Sequence, residues 1–186
     1  CEQPRIEYQT ILENINQHLN GGQPTISLDE FEERSKIIIG KLASDPLTEN
    51  IGRGIHVPFV LPQREYPDIG HALDSIFLPG VDRSFSGKFP DYSFTDHNPQ
   101  KLSGVIEAQE DSRHDELIKQ NAQKTIVGIY FPCLSEYSIP AAIEQLRDLP
   151  KEFLLAGGYD TCAAFVACPD LLLRLSGYPP LVWMTG

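Results

Sequence analysis

Phe153–Cys168, FLLAGGYDTCAAFVAC, is the stretch whose conformation decides the fold. An apolar run, Phe153–Ala156, stops at Gly157–Gly158. After Tyr159, Asp160, Thr161 and Cys162 a second apolar run follows from Ala163 to Ala167. So little polarity marks the centre of a core, and the glycine break divides it in one of two ways. In the first, Phe153–Ala156 is a strand and the chain turns into a helix capped by Asp160 or Thr161. Cys162 then sits in the first helical turn, where free N–H groups and the positive dipole end favour a thiolate. In the second, residues 157–160 are a hairpin loop between two strands, and Cys162 is a core residue chosen for its size. The hairpin with an inert thiol is the favoured reading, because a nucleophile also needs a base and none is fixed by the sequence.

Working outward, strand, helix and strand follow in order before this stretch. TIVGIYF, Thr125–Phe131, is β-branched and aromatic and is the best strand in the chain. Ser138 caps a helix running to about Leu149, and Phe153–Ala156 comes next, giving the order of a βαβ unit. Ser112–Lys124 is a polar helix anchored by Leu117 and Ile118. Leu102–Ala108 and Leu181–Met184 read as strands, and Pro169–Ser176 as a short helix.

The N-terminal third is helical. Tyr8, Ile11, Leu12, Ile15 and Leu19 fall at steps of three and four, and Gly21–Gly22 end that helix. Ser27 and Glu30 form a capping box for a second helix over about Leu28–Ala43, stopped by Asp45–Pro46. The two are expected to form an antiparallel hairpin. Between them and the C-terminal half, residues 55–61 form a β-type run that Pro58 pushes toward a sheet edge. Residues 62–99 are rich in Pro, Gly, Asp and aromatics and read as turns, short strands and one helical turn near Ala72–Phe77. Ser84–Gln100 has no clean period and reads as an ordered loop or irregular strands.

The expected fold is α+β (or α/β) in a single domain: a helical pair over 1–46, an irregular segment over 47–101, and an α/β portion over 102–186. Its mixed sheet is built from 55–61, 102–108, 125–131, 152–157, 162–167 and 181–184. The 186 residues carry 26 acidic and 15 basic side chains, a formal charge of −11. That surface repels phosphate backbones and anionic headgroups, so no nucleic-acid partner is expected. No apolar run is long enough to span a membrane. A reducing cytoplasm suits the four scattered cysteines. The start at Cys1 equally suits a mature bacterial lipoprotein, lipid-anchored after loss of its leader, or a trimmed chain.

No catalytic signature or phosphate loop is present. Cys133, Cys162 and Cys168 lack the spacing of a metal knuckle, and Asp82, Asp91, Asp96 and His97 read as a solvated acidic loop, so no metal or other cofactor is implied. The expected function is binding of another protein or a small ligand, without catalysis. Phe85, Phe89, Tyr92, Phe94 and Trp183 are the candidate contact residues. The alternative is a cysteine-dependent hydrolase or acyl-transfer enzyme, with Cys162 as nucleophile, His97 as base and Asp96 beside it. The oligomeric state is left open.

Overall fold

The computed structural model describes residues 3, 5–97, 100–132, 149–150, 153–154 and 157–173, together with positions 140, 144 and 147. The architecture is α+β, with an N-terminal helical pair and a small antiparallel sheet. Helix α1 spans Tyr8–Leu19 and buries Ile11, Leu12, Ile15 and Leu19, the stripe that the step-three and step-four spacing predicts. It ends at Asn20. Gly21 then takes φ +60°, the left-handed conformation glycine adopts without a Cβ penalty, and Gly22 N–H donates to the Asn16 carbonyl at 2.7 Å.

Helix α2, Leu28–Ser44, begins where the capping box places it: the Ser27 hydroxyl accepts from Glu30 N–H at 3.2 Å. The two helices pack as a pair. Tyr8, in the first turn of α1, lies edge-on to Phe31 near the first turn of α2, with ring centroids 5.3 Å apart. A short helix α3, Glu49–Gly52, follows.

Strand β1, Val57–Leu61, and strand β2, Ile126–Tyr130, pair antiparallel from Val57↔Tyr130 to Leu61↔Ile126. At the centre of this register Phe59 faces Gly128, and its ring fills the space a Cβ there would need. Two expected strands are not strands. Residues 103–105 form a turn and the rest of 102–108 is irregular, because side chains rather than a neighbouring strand take the N–H groups at its start. Asp74 accepts from the N–H groups of Leu102 (2.8 Å) and Ser103 (3.2 Å), and Asp68 accepts from Gly104 N–H (2.9 Å) and the Ser103 hydroxyl (3.0 Å). Residues 162–167 are helical. The strand expected over 152–157 is described only in part; Phe153 and Leu154 are not strand. Most of the helix from Ser138, and with it the βαβ unit, lies outside the described residues, as do Leu181–Met184 and Trp183.

The largest departure is in the middle segment. Where one helical turn is expected, helix α4 (Ile69–Ala72), a π-helical turn (Leu73–Phe77) and helix α5 (Leu78–Lys88) run on without a break. Ile69, Leu73, Phe77, Val81 and Phe85 recur at steps of four. That spacing drifts around an α-helix with 3.6 residues per turn, and the wider π turn brings the row back toward the core. Pro79 has no N–H for the carbonyl four residues earlier, and it is the second residue of α5, two past the end of the π turn. Gly80 and Ser84 are buried small residues on the packed face of α5. The Ser84 hydroxyl donates to the Val166 carbonyl at 2.9 Å.

Helix α6, Arg113–Gln123, is capped by Ser112, and helix α7, Gly158–Ala167, is the centre of the fold. Every residue of α7 from Tyr159 to Ala167 is buried. The helix packs against β1, α1 and α5, so apolar partners surround it. A 3₁₀ turn over Pro169–Leu172 follows and is tied to α5 by the Lys88–Asp170 ion pair.

Candidate functional site

The glycine break adopts the helical alternative, not the hairpin. Gly157 is the N-cap of α7, so the helix starts three to four residues before the expected cap at Asp160 or Thr161. Asp160 still serves the helix end, but from the third helical position: its carboxylate accepts from Gly157 N–H at 2.5 Å. Cys162 is therefore the fifth helical residue, past the first turn and its free N–H groups.

The surroundings of Cys162 suppress its chemistry. The residue is 2% exposed. Burial pushes its thiol up to about 12, and the carboxylates of Asp160 and Asp96 add to the shift. Asp96 lies in the loop that ends the aromatic segment and is exposed. His97 is on the exposed side of that loop. Among the described residues no histidine hydrogen-bonds Cys162. Cys168, half-buried after the end of α7, is also raised by burial and by Asp170.

The histidine that does meet the start of α7 is His114. Its ring lies where a Gly157 side chain would be and stands 6.2 Å, edge-on, from Tyr159. Burial holds the imidazole below its ordinary range, with Asp115 opposing, so it is neutral at pH 7. Tyr159 stacks on Phe77 at 4.5 Å and tilts against Tyr66 at 4.8 Å. Burial, followed by Tyr66 and Asp68, raises the Tyr159 phenol, and its hydroxyl has no hydrogen-bond partner among the described residues. Asp160 is 5% exposed; burial pushes its carboxyl up to about 7 against the pull of three backbone N–H groups. Sequence spacing gave no sign of this contact of His114 with Tyr159 at the start of α7. Its only trace is Gly157, which looks like a turn residue and is required instead by close approach.

Gly157→Ala tests that contact. The added methyl collides with the His114 ring and is expected to cost about 1–3 kcal/mol. NMR titration should show the His114 pKa rising toward its ordinary value as the ring is driven into water. The double variant with His114→Ala should recover most of the loss; an unchanged His114 titration in Gly157→Ala would contradict the packing.

The aromatic segment is anchored at both ends. Phe85 is buried on α5 and contacts Phe89 at 5.3 Å, while Phe94 is half-buried against the core. Between them Tyr92 is 49% exposed, flanked by exposed Asp91 and Ser93. Two hollows elsewhere are open surface features. One lies on α2, lined by Asp29, Glu32, Glu33, Lys36 and Ile37; the other is beside the start of α6, lined by Asp111–Arg113, Asp115, Glu116, Lys119 and Leu154. No group of three or more potential metal ligands occurs among the described residues, and none of their helices is long and apolar enough to cross a membrane. No protein-family model, curated protein or solved structure matches the chain.

Proposed function

We propose that this chain is a non-catalytic binding protein whose contact segment is residues 89–97, and that its partner is another protein. One observation carries the reading: the segment is pinned by Phe85 and Phe94 yet holds Tyr92 half in water. Such an anchored aromatic loses little conformational freedom on binding and offers a large amphipathic contact. A small ligand would favour a concave, largely apolar pocket, whereas the hollows beside α2 and α6 are open and lined mainly by charged side chains. The burial and raised pKa of Cys162 weigh against the cysteine-enzyme alternative.

Two measurements bear on this. In the native protein, iodoacetamide near neutral pH should modify half-buried Cys168 well before Cys162, which should react only on unfolding. Preferential labelling of Cys162 would revive the enzyme. A benzophenone amino acid replacing Tyr92 should cross-link one discrete protein in a cell extract, and the same probe at exposed Val105 should not. Equal patterns from both positions would remove the segment from consideration.

A further inference from the structure

We infer that the outward face of α2 is where two copies of this chain associate, their α2 helices crossing antiparallel about Ile37. Ile37 is 51% exposed at the middle of the helix. Exposed Glu33 and Lys41 stand four residues before and four after it, on the same face. Four other charges on α2 are paired within the helix, Arg34 with Glu30 at 3.1 Å and Lys36 with Glu32 at 2.8 Å, while Asp29 in the first turn makes no ion pair among the described residues. Glu33 and Lys41 make no ion pair among the described residues. Beside Ile37, Gly40 has nothing within 4 Å of where a side chain would begin, so the backbone there is open to close approach.

The pattern is self-complementary. A two-fold axis at Ile37 maps a residue four positions before the centre onto one four positions after it. Glu33 of each copy therefore meets Lys41 of the other, giving two equivalent ion pairs around an Ile37–Ile37 contact. The next matched positions, Asp29 and Asp45, have like charges. They lie about 12 Å from the centre, where inclined helices have already diverged. A purely basic partner suits the face less well, since Lys36 and Lys41 both lie on it. The surface is small and each copy carries −11, so the dimer is weak and reversible.

Sedimentation velocity over a wide concentration range at physiological ionic strength tests the proposal. Wild type should pass reversibly from monomer to dimer. Ile37→Glu should remain monomeric with an unchanged thermal midpoint, because the side chain is exposed in the monomer. Glu33→Lys and Lys41→Glu should each weaken association by about tenfold, and the double reversal should restore it, since each copy supplies both members of the pair. A wild type that stays monomeric throughout overturns the proposal, including one that binds an oligolysine peptide through Glu33. So does a dimer indifferent to Ile37→Glu, or single reversals that the double does not repair.

Discussion

Tyr159→Ala is expected to destabilise the protein by about 3–5 kcal/mol, the largest loss from any single truncation near the start of α7. The ring is 1% exposed and touches Phe77, Tyr66 and His114, so its removal empties the junction of α7 with the π turn and α6. For a domain of this size the loss lowers the thermal midpoint by roughly 6–20 °C. Tyr159→Phe should behave in the opposite way. It keeps the ring and removes a buried hydroxyl that has no partner among the described residues. A buried unsatisfied polar group costs about 1–3 kcal/mol, so this variant should be neutral or more stable. Calorimetry on both variants decides the matter. A Tyr159→Phe variant that loses more than about 1 kcal/mol would show that the hydroxyl is satisfied in the fold.

Asp160→Asn should change how stability depends on pH. The Asp160 carboxyl is raised by burial from 3.8 to about 7. Below about pH 4 it is protonated in both the folded and the unfolded chain and makes no difference between them. From about pH 4 to 7 the unfolded chain ionises while the folded one holds its proton, so stability falls as pH rises. Above pH 7 the penalty is constant, on the order of 4 kcal/mol for a shift of this size. Asparagine keeps an oxygen for Gly157 N–H and removes the titration. The stability of Asp160→Asn relative to wild type should therefore climb between pH 4 and 7 and then level off. Asp68 and Asp115 titrate the other way: hydrogen bonds hold them low, and their contribution is lost in acid. Because both proteins share them, they cancel in the difference. A difference measured by urea unfolding that does not vary over this range would show that Asp160 is ionised in the fold.

Local signals in the sequence were reliable where a segment's own residues settle its conformation. Ser27 and Ser112 cap their helices because a hydroxyl and an N–H three residues on need no distant partner. The stripe from Tyr8 to Leu19 has the helical period and buries as that period requires. Val57–Leu61 and Ile126–Tyr130 are strands, as their β-branched and aromatic residues suggest. The row from Ile69 to Phe85 failed as a signal for a physical reason. Its step of four, kept over five residues, drifts around a regular α-helix, and the π turn brings it back toward the core. Leu102–Ala108 failed because carboxylates some 30 residues earlier in the chain take the hydrogen bonds a strand partner would have taken.

For Phe153–Cys168, the sequence by itself determined that the stretch is core. Its apolar residues have no other place to go, and Cys162 is buried accordingly. Only the tertiary structure decided that the glycine break opens a helix. Gly157–Asp160 is locally compatible with a hairpin loop or an N-cap, and the choice depends on what packs around it. Here the His114 ring occupies the space beside Gly157, Tyr159 stacks on Phe77, and α7 is enclosed by β1, α1 and α5. A helix in the middle of such packing can be apolar on every side and satisfy its backbone internally, as a lone strand there could not.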